Sequence, residues 1–317
     1  MKGHQLLALC AVFSFVPAVP LAAQQLALPR GGQPEPQAQD GGQSVTVIGE
    51  RPDDEAERRR EASRYFESHA VRTRIGELAR WHDPICVRTW GLAPEMNARI
   101  ATRIMDIADG LGIRTNRAAL CRPNVRIGFT SEPQASVERA ARRNRLVIGF
   151  HYAARRDEVM RVRQPVQAWY LTTTRPGPNG GGIEQGAHRG ETIDEAGVRA
   201  PGGAAGSRLS NGISSGLAHV LIFADIRHVE GRNVDSIAEL LAFLALAQTP
   251  VAERCDESET ILNLMNAACP PERRPMALTR QDVAYLRALY SVDSEWGPQL
   301  QRGTIVLHMT DALGGNR

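Results

Sequence analysis

Lysine is almost absent from this chain. Of 38 lysine and arginine residues, only Lys2 is a lysine, so arginine carries the positive charge. The formal net charge is only +3 over 317 residues. A balance this close to neutral provides no broad positive field for a phosphate backbone. The sequence therefore predicts a protein that does not bind nucleic acid.

Long apolar runs are also scarce. The longest, from Leu6 to Val19, is shorter than the roughly 20 residues that a transmembrane helix needs. Lys2 precedes it and small residues at Ala22 and Ala23 follow it, which is typical of a secretory signal peptide. We predict that residues 1–23 are removed, that the mature chain is periplasmic or secreted, and that it has no transmembrane segment.

Cysteine is rare, with five in the whole chain, and Cys10 lies in the predicted signal. The other four are Cys86, Cys121, Cys255 and Cys269, an even number that predicts two disulfides in an oxidising compartment. Of the three possible pairings, Cys86 with Cys121 and Cys255 with Cys269 closes the smallest loops. No C-x-x-C pair occurs, which argues against a zinc site.

The domain organisation follows from composition. Residues 24–52 are rich in Gln, Pro and Gly and are predicted to form a disordered leader. Residues 53–317 are predicted to form a single globular domain. Within it, 175–207 is a glycine-rich loop with no periodic apolar residues, which is either functional or disordered.

Hydrophobic periodicity predicts a mixed α/β (α+β) fold, with a small mixed sheet of four or five strands, packed helices and a helical C-terminal third. The predicted strands are Ile85–Trp90, Val125–Thr130, Leu146–Phe150, Val166–Thr174 and Leu217–Ile226. The predicted helices are a surface helix over Asp53–Arg80, Pro94–Leu111, Pro133–Arg143, a buried one over Val234–Ala247, Leu278–Tyr290 and Gln299–Leu313. Capping boxes at Asp256 and Thr279 each predict the start of a helix.

Two motifs suggest hydrolysis. Gly212–Gly216 matches G-x-S-x-G, in which a serine such as Ser214 occupies a sharp strand-to-helix turn. Here a glycine-rich loop precedes the match and a strand follows it, so the usual context is inverted. Asp225 and His308 follow in the order of a catalytic triad, although most chains offer such residues.

The buried helix is where a zinc protease would carry H-E-x-x-H. Its polar residues are instead Asp235, Ser236 and Glu239, with no histidine. The two carboxylates lie one turn apart and are compatible with calcium, but a solvated helix start explains them better. His219 and His228 are separated by an odd spacing, which sends them to opposite faces of a regular strand. The sequence predicts neither a metal nor a cofactor.

Two further features of the sequence are compatible with ligand binding. The arginines from Arg139 to Arg163 form a basic stretch that either contacts anionic lipid or forms a solvated face. Trp169 and Tyr170 either line a ligand groove or belong to the core.

Several segments together resemble a group of exported bacterial proteins of unknown function: ICVRTWG from Ile85, CRPNV from Cys121, GISSGLAHVLIFAD from Gly212, IAELLAFLALAQ from Ile237 and LTRQDVAYLRALY from Leu278. The resemblance covers most of the chain after about position 45. The strand–helix pair and the last segment are also distantly similar to zincin-like families, which implies an architecture. Ala238, Leu241 and Ala242 stand among the helix residues where such enzymes hold their zinc histidines, so no functional residue transfers.

The sequence thus favours an exported, non-catalytic binding or structural module of the periplasm or envelope, with an envelope component or another protein as its unidentified partner. The alternative is a hydrolase, either a degenerate zincin-like enzyme or a serine hydrolase, that uses Ser214, Asp225 and Glu239.

Overall fold

A computed structural model describes residues 52–149, 153–176 and 212–315. The predicted signal peptide at 1–23, the predicted leader up to 51 and the glycine-rich segment from 177 to 207 lie outside the described residues. All described residues belong to one unit, which spans 49–317. None of the helices described is long and apolar enough to cross a membrane.

The described residues contain four strands and eight α-helices. The strands are β1 (Val87–Trp90), β2 (Val125–Thr130), β3 (Val166–Pro176) and β4 (Ile213–Asp225). The helices are α1 (Pro52–His69), α2 (Pro94–Gly110), α3 (Pro133–Arg143), α4 (Arg156–Met160), α5 (Ile226–Val229), α6 (Val234–Leu246), α7 (Arg280–Ser291) and α8 (Pro298–Gly314).

The strands form a single mixed sheet in the order β1-β2-β4-β3. β1, β2 and β4 run parallel, as predicted for β1 and β2, and β3 runs antiparallel to β4. β4 has 13 residues and lies inside the sheet, which confirms its predicted central position. The mixed α/β class and the helical C-terminal third are confirmed.

Side chains that alternate along β4 divide the core between the two faces of the sheet. Val220, Ile222 and Ala224 belong to the larger cluster, together with the residues of α2 and α6. Leu221 and Phe223 belong to a smaller cluster on the opposite face, which contains Trp169 and residues of α3. Both faces of β4 are therefore buried, which accounts for its nearly continuous apolar sequence.

The buried helix predicted after β4 is α6. Asn233 caps its N-terminus by accepting hydrogen bonds from the amides of Asp235 and Ser236. Every residue from Ser236 to Leu246 is buried. A helix that is apolar on all sides must lie inside the domain, and this expectation is confirmed.

The predicted surface helix over Asp53–Arg80 is wrong in its end and in its exposure. α1 ends at His69, and one of its faces is buried through Ala62, Tyr65 and Phe66. That face packs against α7 and α8. Three apolar side chains within a highly charged run are therefore enough to bury one face of the helix.

Two local predictions fail for reasons of turn chemistry. The strand predicted at Leu146–Phe150 is wrong over its described part, because Asn144 caps a 3₁₀ helix over Arg145–Ile148, which Gly149 ends with a φ of 87°. Phe150 lies outside the described residues. The box at Asp256 opens no helix, because the Asp256 carboxylate accepts the Ser258 amide at 2.7 Å in an Asx-turn. The box at Thr279 does start α7, as predicted.

The four cysteines form the nearest-neighbour pairs. The sulfurs of Cys86 and Cys121 lie 1.99 Å apart, and those of Cys255 and Cys269 lie 2.13 Å apart. The first pair joins the start of β1 to the segment before β2. The second closes a short loop between α6 and α7.

Candidate functional site

β3 is the outermost strand on its side of the sheet. It pairs with β4 along its whole length. On its other side, no strand among the described residues pairs with it. An unpaired edge presents a row of backbone donors and acceptors that a second extended chain can use.

The pairing register indicates which backbone groups face outward. The Asp225 amide donates to the Pro165 carbonyl at 2.7 Å, so this position forms a hydrogen-bonded pair with β4. Opposed residues of an antiparallel pair alternate between bonded and non-bonded positions. Val166, Ala168 and Tyr170 therefore direct their backbone N–H and C=O groups away from β4, towards the open edge.

A second segment, residues 248–252, lies beside this edge directly after α6. The Tyr170 hydroxyl is 3.4 Å from Oγ1 of Thr249, and the Gln164 side-chain amide donates to the Ala252 carbonyl. These contacts involve side chains. No backbone–backbone hydrogen bond joins 248–252 to β3 within the described ranges. The segment forms the second wall of a cleft without satisfying the edge of β3.

The cleft opens on both faces of the sheet. On the α6 face it encloses about 50 Å³ over a floor formed by Leu240, Leu244, Leu262 and Met265. On the α3 face it encloses about 250 Å³, where the lining residues include Glu158, Arg161, Arg163, Trp169 and Gln248. Gln167, Ala168, Tyr170 and Val251 line both parts. We call the two parts together the edge cleft.

The polar groups of the edge cleft are few and well placed. Burial raises the pKa of Tyr170 to about 12, so its hydroxyl stays protonated at neutral pH. Oε1 of Gln248 is buried and accepts no hydrogen bond from any described residue. Burying such an acceptor without a hydrogen bond costs free energy.

The charge of the larger part comes from arginine. Arg163 pairs with Glu253 at 2.5 Å, and Glu158 pairs with Arg155 at 3.6 Å. Arg161 has no such partner in the described part of the chain. The Gln167 side chain accepts the Arg163 amide at 2.8 Å and donates to the Arg161 carbonyl at 3.1 Å. This holds the arginine segment next to the strand, so the α3 side of the cleft favours an acidic group.

The predicted candidates Ser214, Asp225 and Glu239 do not come together around a shared site. Ser214 is buried near the start of β4, within the strand, so Gly212–Gly216 forms no strand-to-helix turn. Asp225 ends the same strand, roughly 35 Å further along at the usual rise per residue. His308 contacts Ser291 on the α7–α8 surface, with 2.9 Å between Nδ1 and Oγ.

Asp225 caps a helix. Its carboxylate accepts the amide of Arg227 at 3.1 Å and pairs with the Arg227 guanidinium. These hydrogen bonds hold the pKa of Asp225 below its usual value. The carboxylate is therefore engaged locally and does not face the edge cleft.

Glu239 connects three elements. One of its oxygens accepts a hydrogen bond from Arg103 on α2, and the other accepts the Leu278 amide at 2.7 Å. Asp235, one turn earlier, forms a two-bond ion pair with Arg99. Both carboxylates thus bind arginines of α2. No group of three metal-ligating side chains occurs among the residues described.

The basic stretch from Arg139 to Arg163 is partly neutralised. Arg142 lies 3.8 Å from Glu138 and Arg155 lies 3.6 Å from Glu158. Arg142, Arg145 and Arg156 line an open cavity of about 520 Å³ together with Glu138 and Asp157. The mixture of charges gives no continuous cationic face.

Sequence reasoning found part of the edge cleft. Tyr170 lines it, as one interpretation of the Trp169–Tyr170 pair suggested. Trp169 is 3% exposed and belongs chiefly to the smaller core. The second wall at 248–252 was missed, because no local pattern indicates which loop will lie beside a strand edge.

Comparison with protein-family models, with curated proteins and with solved structures finds no match, so no relative assigns a role to any residue.

Proposed function

We propose that this chain is an exported, non-catalytic binding module that captures an extended segment of a partner protein in the edge cleft. The observation that carries the proposal is the outward-facing backbone of Val166, Ala168 and Tyr170, which no described strand covers. The partner segment would add as a strand beside β3, with main-chain hydrogen bonds supplying affinity.

The two parts of the edge cleft support a defined side-chain preference. Side chains of an extended peptide point alternately to the two faces of a sheet. On the α6 face they would meet the apolar floor of Leu240 and Leu244, which has room for a small apolar group. On the α3 face they would meet Arg161. A segment that alternates small apolar and acidic residues fits both.

The ligand would replace the contact between Tyr170 and Thr249. That contact is 3.4 Å long and joins two hydroxyl groups. Breaking it costs little if the ligand re-forms hydrogen bonds with both hydroxyls.

Export and ancestry belong to the same proposal. The N-terminal run of residues 1–23 supports a signal peptide, and disulfide-distance cysteine pairs are compatible with an oxidising compartment. We propose a zincin-like framework on the strength of the β4–α6 pair and the α7 segment. The hydrolase alternative is not carried forward, because Ser214 and Asp225 lie near opposite ends of β4 and the carboxylates of Asp225 and Glu239 bind arginines.

The test uses the purified, disulfide-bonded chain and a fluorescent, end-capped peptide of eight residues that alternates valine and glutamate. We expect saturable binding by anisotropy in the micromolar range. The matched valine–lysine peptide should bind at least about tenfold more weakly, because Arg161 repels its charges. Arg161→Glu should reverse that preference.

A pair of variants tests the strand edge itself. Ala168→Pro removes an outward N–H while leaving the bonds to β4 intact, so peptide affinity should fall about tenfold. Ala168→Ser keeps the amide and should bind normally. Equal affinity in these two variants would show that the peptide does not use the edge of β3.

A further inference from the structure

The sheet has a second outermost strand, β1, on the side opposite β3. The pairing register places Arg88 of β1 beside Arg126 of β2, and Trp90 beside Gly128. Arg126 is in turn level with Leu221 of β4, whose side chain belongs to the smaller core on the α3 face. Both arginines are exposed, and Trp90 is 36% exposed. At this edge, the α3 face of the sheet therefore presents two arginines and an indole to solvent.

The indole of Trp90 is held in place by its neighbours. Its ring lies over Gly128, where an added Cβ would be 2.6 Å away, and it meets the Phe223 ring edge to face with 6.1 Å between the ring centres. The Arg126 guanidinium lies 5.6 Å from the centre of the indole, within the range of a cation–π contact. This contact orients Arg126 without neutralising it, so its charge remains available to a partner.

Three exposed arginines of this region have no carboxylate partner. Arg88, Arg122 and Arg126 form no ion pair with any residue in the described ranges. At the end of α2, just before the loop that contains Arg122, Asp109 already binds Arg117 at 2.6 Å. Like charges that lie side by side on neighbouring strands repel each other, so an anion bound next to Arg88 and Arg126 would be stabilising.

A leucine projects from the loop beside these arginines. Leu120 is 97% exposed. Nη2 of Arg88 donates to the carbonyl of Ala119 at 3.5 Å, which places the tip of the loop next to the arginine. The disulfide between Cys86 and Cys121 ties the same tip to the start of β1. Leu120 is therefore presented to solvent by a covalently anchored turn.

The headgroup region of a bilayer that contains anionic lipid accommodates each of these groups. Guanidinium groups bind phosphate oxygens, and tryptophan is favoured at the level of the headgroups. An apolar side chain that projects beyond a basic surface enters the boundary with the acyl chains. A soluble polyanion would engage the arginines but would leave Leu120 in water.

We infer that the surface formed by Arg88, Trp90, Leu120, Arg122 and Arg126 binds a membrane that contains anionic lipid. We call it the β1 surface. Because β1 and β3 are the two opposite edges of the sheet, binding at the β1 surface neither requires nor blocks peptide binding in the edge cleft.

The experiment measures co-sedimentation of the purified, disulfide-bonded chain with phosphatidylcholine vesicles that contain about 30% phosphatidylglycerol, at about 0.1 M salt. We expect binding at least about tenfold tighter than to vesicles of phosphatidylcholine alone. Absence of binding, or equal binding to both kinds of vesicle, would overturn the inference.

Two pairs of variants locate the binding on the β1 surface. Leu120→Gln should weaken vesicle binding about tenfold, and Leu307→Gln, the same change at a leucine of α8 that is 48% exposed, should leave it unchanged. Arg122→Glu should also weaken binding about tenfold or more. Arg287→Glu, which alters the net charge equally at an exposed position on α7, should leave it unchanged.

Every other outcome contradicts the inference. Unchanged binding in both Leu120→Gln and Arg122→Glu would exclude the β1 surface. A loss in Arg122→Glu alone would indicate a soluble polyanion bound through charge, and a loss in Leu120→Gln alone would indicate an apolar contact without recognition of anionic lipid. Residues 1–23 are identical in all variants, so they do not affect these comparisons.

Discussion

The hydroxyl of Tyr65 donates a 2.6 Å hydrogen bond to the carboxylate of Asp282, 217 positions further along the chain. Asp282 is fully buried and accepts three more hydrogen bonds, each at 2.8 Å, from Oγ1 of Thr260 and the amides of Ile261 and Thr279. Burial, and then the charge of Asp282, raises the pKa of Tyr65 well above its usual value, so this hydroxyl remains a donor. One carboxylate thus joins α1, the start of α7 and the loop before it.

Removing this carboxylate should be among the most damaging single changes. Asp282→Ala leaves four buried donors without an acceptor, and we expect a loss of about 3–5 kcal/mol in the free energy of unfolding. Tyr65→Phe should lose about 1–2 kcal/mol. Urea denaturation measures both. The double variant should lose at most about a few tenths of a kcal/mol more than Asp282→Ala alone. A loss equal to the sum of the two single losses would contradict the shared network.

Glu239 should prove structural. Glu239→Ala leaves the Leu278 amide without its acceptor, which should cost about 2–3 kcal/mol. Glu239→Gln keeps an acceptor and loses mainly the ion pair with Arg103, whose side chain is 46% exposed, so it should cost about 1 kcal/mol or less. Asp235→Asn, in an exposed pair, is the control and should leave the free energy of unfolding nearly unchanged. Full stability of Glu239→Ala would contradict this role.

His219 should make the fold sensitive to acid. Burial, and then the charge of Arg126, lowers the pKa of His219 from 6.5 to about 4. Between these values the unfolded chain takes up a proton that the folded chain does not, so stability falls as the pH drops from 6.5 to 4. The loss should reach about 2–3 kcal/mol.

Urea midpoints at several pH values, compared with those of His219→Gln, test this prediction. The stability of His219→Gln should not show the fall that the protonation of His219 causes in the wild type. His308→Gln, which changes a histidine that contacts only the Ser291 hydroxyl among the described residues, serves as control. The same pH dependence in wild type and His219→Gln would refute the assignment.

Two glycines should respond oppositely to alanine. A Cβ at Gly128 on β2 would lie 2.6 Å from the Trp90 ring and 2.7 Å from the Phe223 ring, which meet edge to face. Gly128→Ala should therefore cost about 1–3 kcal/mol. A Cβ at Gly303, inside α8, meets nothing within 4 Å. Gly303→Ala should stabilise the chain by about 0.5–1 kcal/mol, and thermal or urea unfolding compares the two.

The two disulfides should contribute unequally. Cys86 and Cys121 are separated by 35 positions, and Cys255 and Cys269 by 14. Loop-closure entropy then predicts losses of about 4 and 3 kcal/mol when each pair is changed to serine. Peptide mapping under non-reducing conditions checks the pairing. Linked peptides in any other combination would contradict it.

The sequence was informative where structure follows from local periodicity. The apolar stripe of α2, the continuous apolar run of β4 and the all-apolar α6 each predicted an element and its burial. It was least informative where partners are distant. No sequence feature near Tyr65 indicates that its hydroxyl binds Asp282. Likewise, no sequence feature distinguishes Arg80, which is buried, from the exposed arginines.

The edge cleft illustrates the same limit. The strand pattern of Val166–Thr174 was visible, but periodicity does not reveal which strand will be outermost. β3 is outermost because it pairs with β4 on one side only. The glycine-rich segment separates these two strands in the sequence, so the pairing is not a local feature. Tyr170 was a candidate ligand-contacting residue on the basis of its residue type alone. Arg161 became a candidate only when the structure placed residues 248–252 beside β3.

α1 lies against α8, where Glu67 binds Arg302 at 2.6 Å, so the two ends of the described unit meet. A chain made from its N-terminus has no partner for this face of α1 until α7 and α8 have been made, because Tyr65 and Phe66 pack against Tyr285 of α7. These long-range contacts separate α1 from its partners by more than 200 residues of synthesis, so α1 is completed late in folding.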